Sequence, residues 1–224
     1  MDIILSLGGS LIVPDEIDTS FLKRFRELIF KYTEHGHRFI IISGGGKTCR
    51  RYQRASDEVG ELTRNELDWI GIHSTRLNAR LMHAIFKDAA YPHVVRDPTE
   101  SIDFKEKILI AAGWKPGWST DYVAVMLAKT LGVKKMFNLT NVDQVCDKDP
   151  KYHKDAKPIE NITWPDFRKL VGDEWDPGLH APFDPVAAKE AEKLGLEVII
   201  INGKKLENLD AALNENTFKG TRIK

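Results

Sequence analysis

Two glycine turns near the N-terminus carry the residue types that bind anions. The first is "GGS" at 8–10, and the second is "GGG" at 44–46, which Lys47 and Arg50 follow directly. Glycine lets the backbone approach a ligand closely, and the amides after it can point at a phosphate. Cations at a helix start oppose the helix dipole, and a bound anion would remove that conflict. The chemistry indicated is phosphate binding, with an ordinary tight turn and a solvated basic helix face as the alternatives.

The spacing around the second turn excludes two nucleotide-binding motifs. A Walker P-loop requires a glycine five residues before Gly46, and that position is Ile41. A dinucleotide-binding fingerprint that begins at Gly44 requires a glycine where Cys49 stands. What remains is an apolar strand, a glycine turn and a basic helix.

Polar side chains also cluster in four later segments. A helix over 66–81 would place a carboxylate and a guanidinium on one face, which suits a sugar and an anion but is also common on helix surfaces. A turn at 113–118 precedes hydroxyl and acidic groups, and N-capping explains only one of them. The acid before Pro185 fits an N-cap completely. These candidates are Asp68, Arg76, Ser119, Thr120, Asp121, Thr140, Asn141, Asp143, Asp149 and Asp184.

The elements that must position these candidates follow from hydrophobic periodicity. Parallel strands covered on both faces are predicted over 2–9, 38–46, 91–97, 107–113, 134–143 and 197–203. Helices are predicted over 18–35, 65–89, 120–131, 185–194 and 205–214. The segment 144–183 is predicted as an elaboration with one short helix near 164–171.

The alternation of strands and helices predicts an α/β fold. The expected architecture is a three-layer α/β/α sandwich with a mostly parallel central sheet, in a single domain over residues 1–224. Ligands of such sheets bind beyond the carboxyl ends of the strands. The glycine turns and the polar clusters should therefore meet at one edge.

The composition excludes several classes of partner. Lysine plus arginine equals aspartate plus glutamate at 33 each, which argues against charge-driven binding to nucleic acid or to acidic membranes. Cys49 and Cys146 offer no disulfide framework and no metal-site spacing. The N-terminus has no basic leader and no apolar run reaches membrane-spanning length, so a cytoplasmic location is expected.

Seven short motifs occur in an order that resembles the amino acid kinase superfamily. They are "LGGS" (7–10), "SGGGKTCR" (43–50), "DWIGIHSTRLNARL" (68–81), "PGWSTDYVA" (116–124), "TNVDQVCDKDP" (140–150), "DPVAAK" (184–189) and "GTRI" (220–223). Within the superfamily the chain is most similar to the archaeal-type uridylate (UMP) kinases, from about residue 2 to residue 223. The resemblance implies the amino acid kinase fold and transfer of the ATP γ-phosphate to UMP, with Mg²⁺, in a homohexamer. It also implies acceptor binding in the N-terminal half and ATP binding within about 134–224.

The resemblance further implies roles for individual residues. ATP would contact Gly8, Gly9, Ser10, Gly46, Arg50, Thr140, Asn141 and Asp149. UMP would contact Gly45, Asp68, Arg76, Trp114, Lys115, Pro116, Gly117, Trp118, Ser119 and Thr120. The catalytic residues would be Lys47, Asp121, Asp143 and Asp184. The three acids would organise Mg²⁺ or the basic side chains, and Mg²⁺ would be held mainly through the nucleotide phosphates, with its protein ligands unassigned.

The chain departs from the family pattern at three positions. Many relatives carry a lysine two residues before the glycine pair, where this chain has Ser6, and Lys47 is the hypothesised replacement for that charge. Gln144 and Cys146 stand where a glycine and an adenine-stacking aromatic residue are common. Two alternatives therefore stay open: a related kinase for another small phosphate or carboxylate, and a non-catalytic relative that binds a nucleotide or an oxyanion.

Overall fold

The computed structural model describes residues 1–172 and 182–224. Its strands are β1 (Asp2–Leu7), β2 (Arg38–Ser43), β3 (Ile108–Ala111), β4 (Lys135–Thr140), β5 (Val145–Cys146), β6 (Pro158–Ile159), β7 (Asn161–Ile162), β8 (Glu197–Asn202) and β9 (Thr221–Ile223). Its helices are α1 (Gly9–Ile12), α2 (Thr19–Glu34), α3 (Gly46–Val59), α4 (Arg64–Ile85), α5 (Thr120–Leu131), α6 (Trp164–Val171), α7 (Pro185–Leu194) and α8 (Leu206–Leu213). Residues 173–181 of the predicted elaboration lie outside the described residues.

Seven of the strands form one sheet in the order β3-β2-β1-β4-β8-β9-β7. Neighbouring strands are parallel except β8 and β9, which are antiparallel. β1 lies inside the sheet, where Leu5 pairs with Ile41 on one side and with Phe137 on the other. The prediction of a mostly parallel central sheet is confirmed.

Helices cover both faces of the sheet and complete the three predicted layers. On one face Leu5 and Ile41 pack into a core with residues of α1, α2, α4 and α8. On the other face Ile4 and Ile40 pack into a second core with residues of α5, α6 and α7. Alternate residues of each central strand thus enter opposite cores, and this is why the strands appear in the sequence as unbroken apolar runs.

Side-chain caps fix where several helices begin. Asp18 caps α2, Ser119 caps α5 and Asp184 caps α7, each by accepting hydrogen bonds from backbone N–H groups of the first turn. Thr63 and Glu66 form a reciprocal capping box at the start of α4. The capping alternative that the sequence offers for Ser119 and for Asp184 is therefore confirmed.

The prediction of a strand over 91–97 is wrong. The chain there meets β3 only through isolated parallel bridges, from Ala90 to Ile108 and from Val95 to Ala111. Regular pairing after the bond from Tyr91 N–H to Ile108 would place the His93 N–H on Ile110, but the Val95 N–H bonds that carbonyl instead, so the chain bulges away from β3 between Tyr91 and Val95. In the elaboration the helix near 164–171 is confirmed as α6, whereas the two-residue strands β5, β6 and β7 were not predicted.

A helix that crosses a membrane must be long and apolar. Of the helices within residues 1–172 and 182–224, none combines the length and the apolar character that spanning a bilayer requires.

Candidate active site

The two glycine turns pack directly against each other at the carboxyl ends of β1 and β2. Gly8 N–H donates to the carbonyl of Leu139, at the end of β4, over 2.9 Å. A Cβ atom on Gly9 would overlap the backbone nitrogen of Gly46. Gly46 also has a φ of +65°, in the region that L side chains rarely adopt. Glycine is required here by the contact between the turns, which places both of them at one edge of the sheet.

Asn78 anchors the second turn and was not predicted as a site residue. Its Nδ2 donates to the carbonyls of Gly44 and Gly45, over 2.8 and 3.1 Å. Asn78 is buried on α4. The signal in the sequence was an amide on a helix face that otherwise packs into a core. Because the buried Asn78 amide donates hydrogen bonds to both carbonyls, the backbone of the turn is fixed.

Lys47 lies next to the glycine turns, in the first turn of α3, and forms an ion pair with Asp15. The two charged atoms are 2.6 Å apart, and Arg51 contacts the same carboxylate at 2.8 Å. The Lys47 ammonium, by its hydrogen bond and its charge, lowers the pKa of Asp15. Within the described part of the chain, Lys47 makes no ion pair with Asp121. The structure thus gives Lys47 an acidic partner in Asp15, and the hypothesis that it replaces the charge missing at Ser6 stays a prediction.

Asp121 and Asp184 form an acidic pair beside the exit of β1. The Ser6 hydroxyl donates to Asp121 Oδ1 over 3.0 Å, and the Asp184 N–H donates to Asp121 Oδ2 over 3.3 Å. The Ser119 hydroxyl donates to Asp184 Oδ2. The other oxygen of Asp184 accepts the N–H of Val186 over 2.6 Å in the α7 cap. The fold thus brings two predicted catalytic acids together with Ser6, the residue that stands where many relatives have a lysine.

The environment of this pair disfavours two negative charges. Burial of the carboxyl group, with a further contribution from Asp184, raises the pKa of Asp121 to about 7. The hydrogen bonds from Ser6 and from the Asp184 N–H oppose this rise without cancelling it. A cation that approaches such a carboxyl group stabilises its ionised form.

On the other side of the second turn, α4 holds the loop 113–118. Gly117 N–H donates to Asp68 Oδ2 over 2.7 Å. The Arg76 guanidinium donates to the carbonyls of Gly113 and Trp114, over 3.4 and 2.9 Å. Burial lowers the pKa of Arg76, with a smaller contribution from Arg96. Two residues predicted to contact a ligand therefore also fix the loop predicted to enclose it.

The loop carries a row of aromatic rings. Trp114 and Trp118 have ring centroids 6.1 Å apart, and Trp118 stacks on Tyr122 at 4.0 Å. The Lys115 ammonium lies 3.9 Å from the centroid of Trp114. Pro116, the next residue, is half-buried. The structure therefore brings Trp114 and Gly117 of the predicted acceptor loop into contact with Arg76 and Asp68.

The remaining predicted residues lie at the end of β4, after β5, and in α1 and α3. Thr140 accepts the N–H of Val142 through its hydroxyl over 2.9 Å, and Asn141 is exposed. Asp149 is exposed and accepts the Lys151 N–H over 2.8 Å. Within residues 1–172 and 182–224 no hydrogen bond joins Asp149 to Thr140 or Asn141, so this group is less compact than the acceptor side. Ser10 lies in α1, and Arg50 is exposed on α3.

A model of the amino acid kinase family matches residues 1–202. The chain belongs to the amino acid kinase family. It is 34% identical over 226 residues to a uridylate kinase from Methanobrevibacter smithii, with 100% of this chain and 99% of the relative covered. A uridylate kinase from Thermococcus kodakarensis is 38% identical over 211 residues, with 92% and 91% covered.

Solved structures agree with this membership. The crystal structure of uridylate kinase from Archaeoglobus fulgidus superposes with a TM-score of 0.85 at 29% identity, and all of both chains is covered. Both the family and the amino acid kinase fold implied by the motifs are thus confirmed.

The acidic pair of this family member fits a metal held together with a nucleotide. Mg²⁺ is usually bound by one or two carboxylates plus substrate phosphates, rather than by a cage of protein ligands. Asp121 and Asp184 supply two carboxylates. Among the residues that the structure describes, no group of three or more His, Cys, Asp and Glu side chains could hold a metal alone. Two carboxylates therefore fit an ion whose other ligands are phosphate oxygens.

Proposed function

We propose that the chain is a UMP kinase that transfers the γ-phosphate of ATP to UMP and yields ADP and UDP. The observation that carries the proposal is the similarity to archaeal proteins named uridylate kinase over nearly the whole length of both chains. The glycine turns, the acidic pair and the aromatic loop support it, because they supply an anion site next to a surface for a base and a sugar. This reaction belongs to pyrimidine nucleotide biosynthesis.

We propose that residues 1–224 form one domain and that each of the two substrates binds to a different part of it. The acceptor side is the N-terminal half, where Asp68, Arg76 and the loop 114–120 would contact UMP together with Gly45. The donor side is about 134–224, where Thr140, Asn141 and Asp149 would line the adenosine pocket. The turns at 8–10 and 44–46 lie where the two sides meet, which suits the transferred phosphoryl group.

The chemistry asks mainly for positioning and for neutralisation of charge. An oxygen of the UMP phosphate forms a bond to the γ-phosphorus, the bond from that phosphorus to the β–γ bridging oxygen breaks, and ADP leaves with the electron pair. The UMP phosphate is largely dianionic at neutral pH and needs no general base. Amides of the glycine turns would stabilise charge on the equatorial oxygens, and so would the Lys47 ammonium once it leaves Asp15.

Mg²⁺ would add charge neutralisation of the β- and γ-phosphates when bound, and Asp121 and Asp184 are the residues that would hold it. Burial keeps part of the Asp121 population protonated in the free protein near pH 7. Arrival of cations favours the carboxylate. The Asp121 carboxyl group would therefore become fully ionised only when the nucleotide and its cations are bound.

We further propose a cytoplasmic homohexamer, as the resemblance implies. A groove between α3 and α4 supports self-association, since Tyr52, Val59 and Trp69 line it and are exposed. Val59 is 91% exposed, and together with Tyr52 and Trp69 it forms an exposed apolar patch of the kind that marks interaction sites. Light scattering after size exclusion should give the mass of six chains of 25.4 kDa. A Val59→Glu variant should dissociate, and a monomeric wild-type protein would contradict this proposal.

The proposed reaction is tested by release of ADP from ATP with different acceptors. UMP, CMP, dUMP and AMP are supplied separately with Mg²⁺, and kcat/KM is measured for each. We expect turnover with UMP to exceed that with the other three acceptors. A higher kcat/KM for another acceptor would favour the related-kinase alternative, and tight ATP binding without turnover would favour the non-catalytic one.

A further inference from the structure

One carboxylate at the exit of β4 holds two lysines from distant parts of the chain. The Lys205 ammonium lies 2.9 and 3.0 Å from the two oxygens of Asp143. The Lys219 ammonium lies 3.1 Å from Asp143 Oδ2, and Asn202 Nδ2 lies 2.8 Å from Oδ1. Asp143 was predicted as a catalytic acid, and its cationic partners were not predicted.

This cluster lies beside the first glycine turn. Gly203 N–H donates to the carbonyl of Thr140 over 2.8 Å, so the exits of β8 and β4 are joined. A side chain on Gly203 would overlap the Leu11 side chain of α1, the helix that follows Gly8 directly. Lys205 is therefore on the turn that packs against the "GGS" segment, at the carboxyl edge where ligands of parallel sheets bind.

The cluster carries a surplus of positive charge. One carboxylate faces two ammonium groups, which leaves a formal charge of +1 for the three side chains. The hydrogen bonds from Lys205, Asn202 and Lys219 hold the pKa of Asp143 far below its usual range, so the acid stays ionised at any pH of interest. The Lys205 and Lys219 side chains are 45% and 59% exposed, and their remaining N–H groups are open to a ligand.

We propose that Lys205 and Lys219 bind the phosphates of the donor nucleotide and that Asp143 is the positioning residue that holds them. The inference rests on the proposed function, because it takes ATP as the ligand of this edge. It changes the role expected for Asp143, which contacts lysines here and not the reacting atoms. A purely structural role, in which the ion pairs only tie β4, β8 and the entry to β9 together, is the competing explanation.

Titration calorimetry of the full chain with ATP and with adenosine, without UMP, separates these explanations. We expect Lys205→Ala and Lys219→Ala each to raise the Kd for ATP by about 10–100-fold, which is the value of one hydrogen bond to a charged group. The Kd for adenosine should not change, since adenosine has no phosphate. Arginine at either position should restore most of the affinity.

Lys204→Ala is the matched control, because Lys204 carries the same charge on the same turn and is not among the groups that Asp143 binds. It should leave both Kd values near those of the wild type. A glutamine series at 205 and 219 repeats the test with side chains that keep most of the packing. Unchanged ATP affinity in the lysine variants, or an equal loss for adenosine and ATP, would overturn the inference.

Asp143→Asn gives a test that depends on sign. If Asp143 positions the lysines, its loss weakens ATP binding even though a negative charge has been removed. If Asp143 only competes with phosphate for the lysines, ATP binding becomes tighter, and the positioning role is refuted.

Kinetics distinguish this inference from the proposed function. In an active kinase the lysine variants should raise KM for ATP and leave KM for UMP unchanged. Failure of the wild type to phosphorylate UMP would refute the proposed function alone, because the ATP titrations still decide the role of the lysines.

Discussion

Lys47→Ala is expected to lower kcat by about 10²–10³, the scale for loss of one group that stabilises charge in the transition state. Lys47 lies next to the contact between the glycine turns, where the transferred phosphoryl group is proposed to lie. Its ion pair with Asp15 is exposed on both sides and is therefore weak, so an incoming phosphate can displace it. Steady-state rates at saturating ATP and UMP measure the effect.

Two further variants separate charge at this site from stability of the loop. Lys47→Arg keeps the charge and should retain more activity than Lys47→Ala. Arg51→Ala removes the other cation that contacts Asp15 and should leave kcat close to that of the wild type. Activity of Lys47→Ala near the wild-type value would refute the idea that this lysine acts in place of one at Ser6.

Asp121→Asn is expected to lower kcat by about 10²–10³, as for Lys47→Ala. It is also expected to stabilise the free protein at alkaline pH. The ordinary pKa of the group is 3.8 and the folded value is about 7, so the folded state binds its proton more tightly than the unfolded state does. The wild type therefore loses stability as the pH rises from about 4, and the loss is complete above about 7. Asparagine carries no charge and removes this loss.

The expected gain is about 1–3 kcal/mol at pH 8, after the cost of one weakened hydrogen bond to the Asp184 N–H. It should shrink towards zero near pH 4, and Tm measured across this range in the absence of nucleotide reports it. Asp166→Asn is the control, since this exposed acid of α6 has a lowered pKa due to Lys169 and Thr163. That control should give no gain at pH 8 and normal activity. An Asp121→Asn protein with wild-type kcat and an unchanged pH profile would contradict the assignment.

The central strands were predictable because of how they are buried. β1, β2, β4 and β8 are covered on both faces, so each appears as an unbroken apolar run such as Ile40–Ile42. β9 has only three residues and takes its direction from β8, which a local pattern cannot indicate. The error over 91–97 also has a non-local cause, because the composition there is that of a strand but the chain bulges away from β3 between Tyr91 and Val95.

The site was predictable where local sequence carries the signal. The glycine turns and the loop with its tryptophans are short segments with turn chemistry, and the structure brings both to one region. The partners of the charged groups were not predictable. Ser6 meets Asp121 and Asp143 meets Lys219 across 115 and 76 positions of the chain, and only the fold determines such pairs. The replacement of a lysine at Ser6 was visible, but the direction in which Lys47 points was not.

Phosphorus NMR of a mixture of the protein, Mg²⁺, ATP and UMP tests the proposed reaction most directly. We expect the β-phosphorus signal of UDP to rise in step with ADP, one for one, with no inorganic phosphate. ADP together with inorganic phosphate and no UDP would show hydrolysis without transfer to UMP and would contradict the proposal.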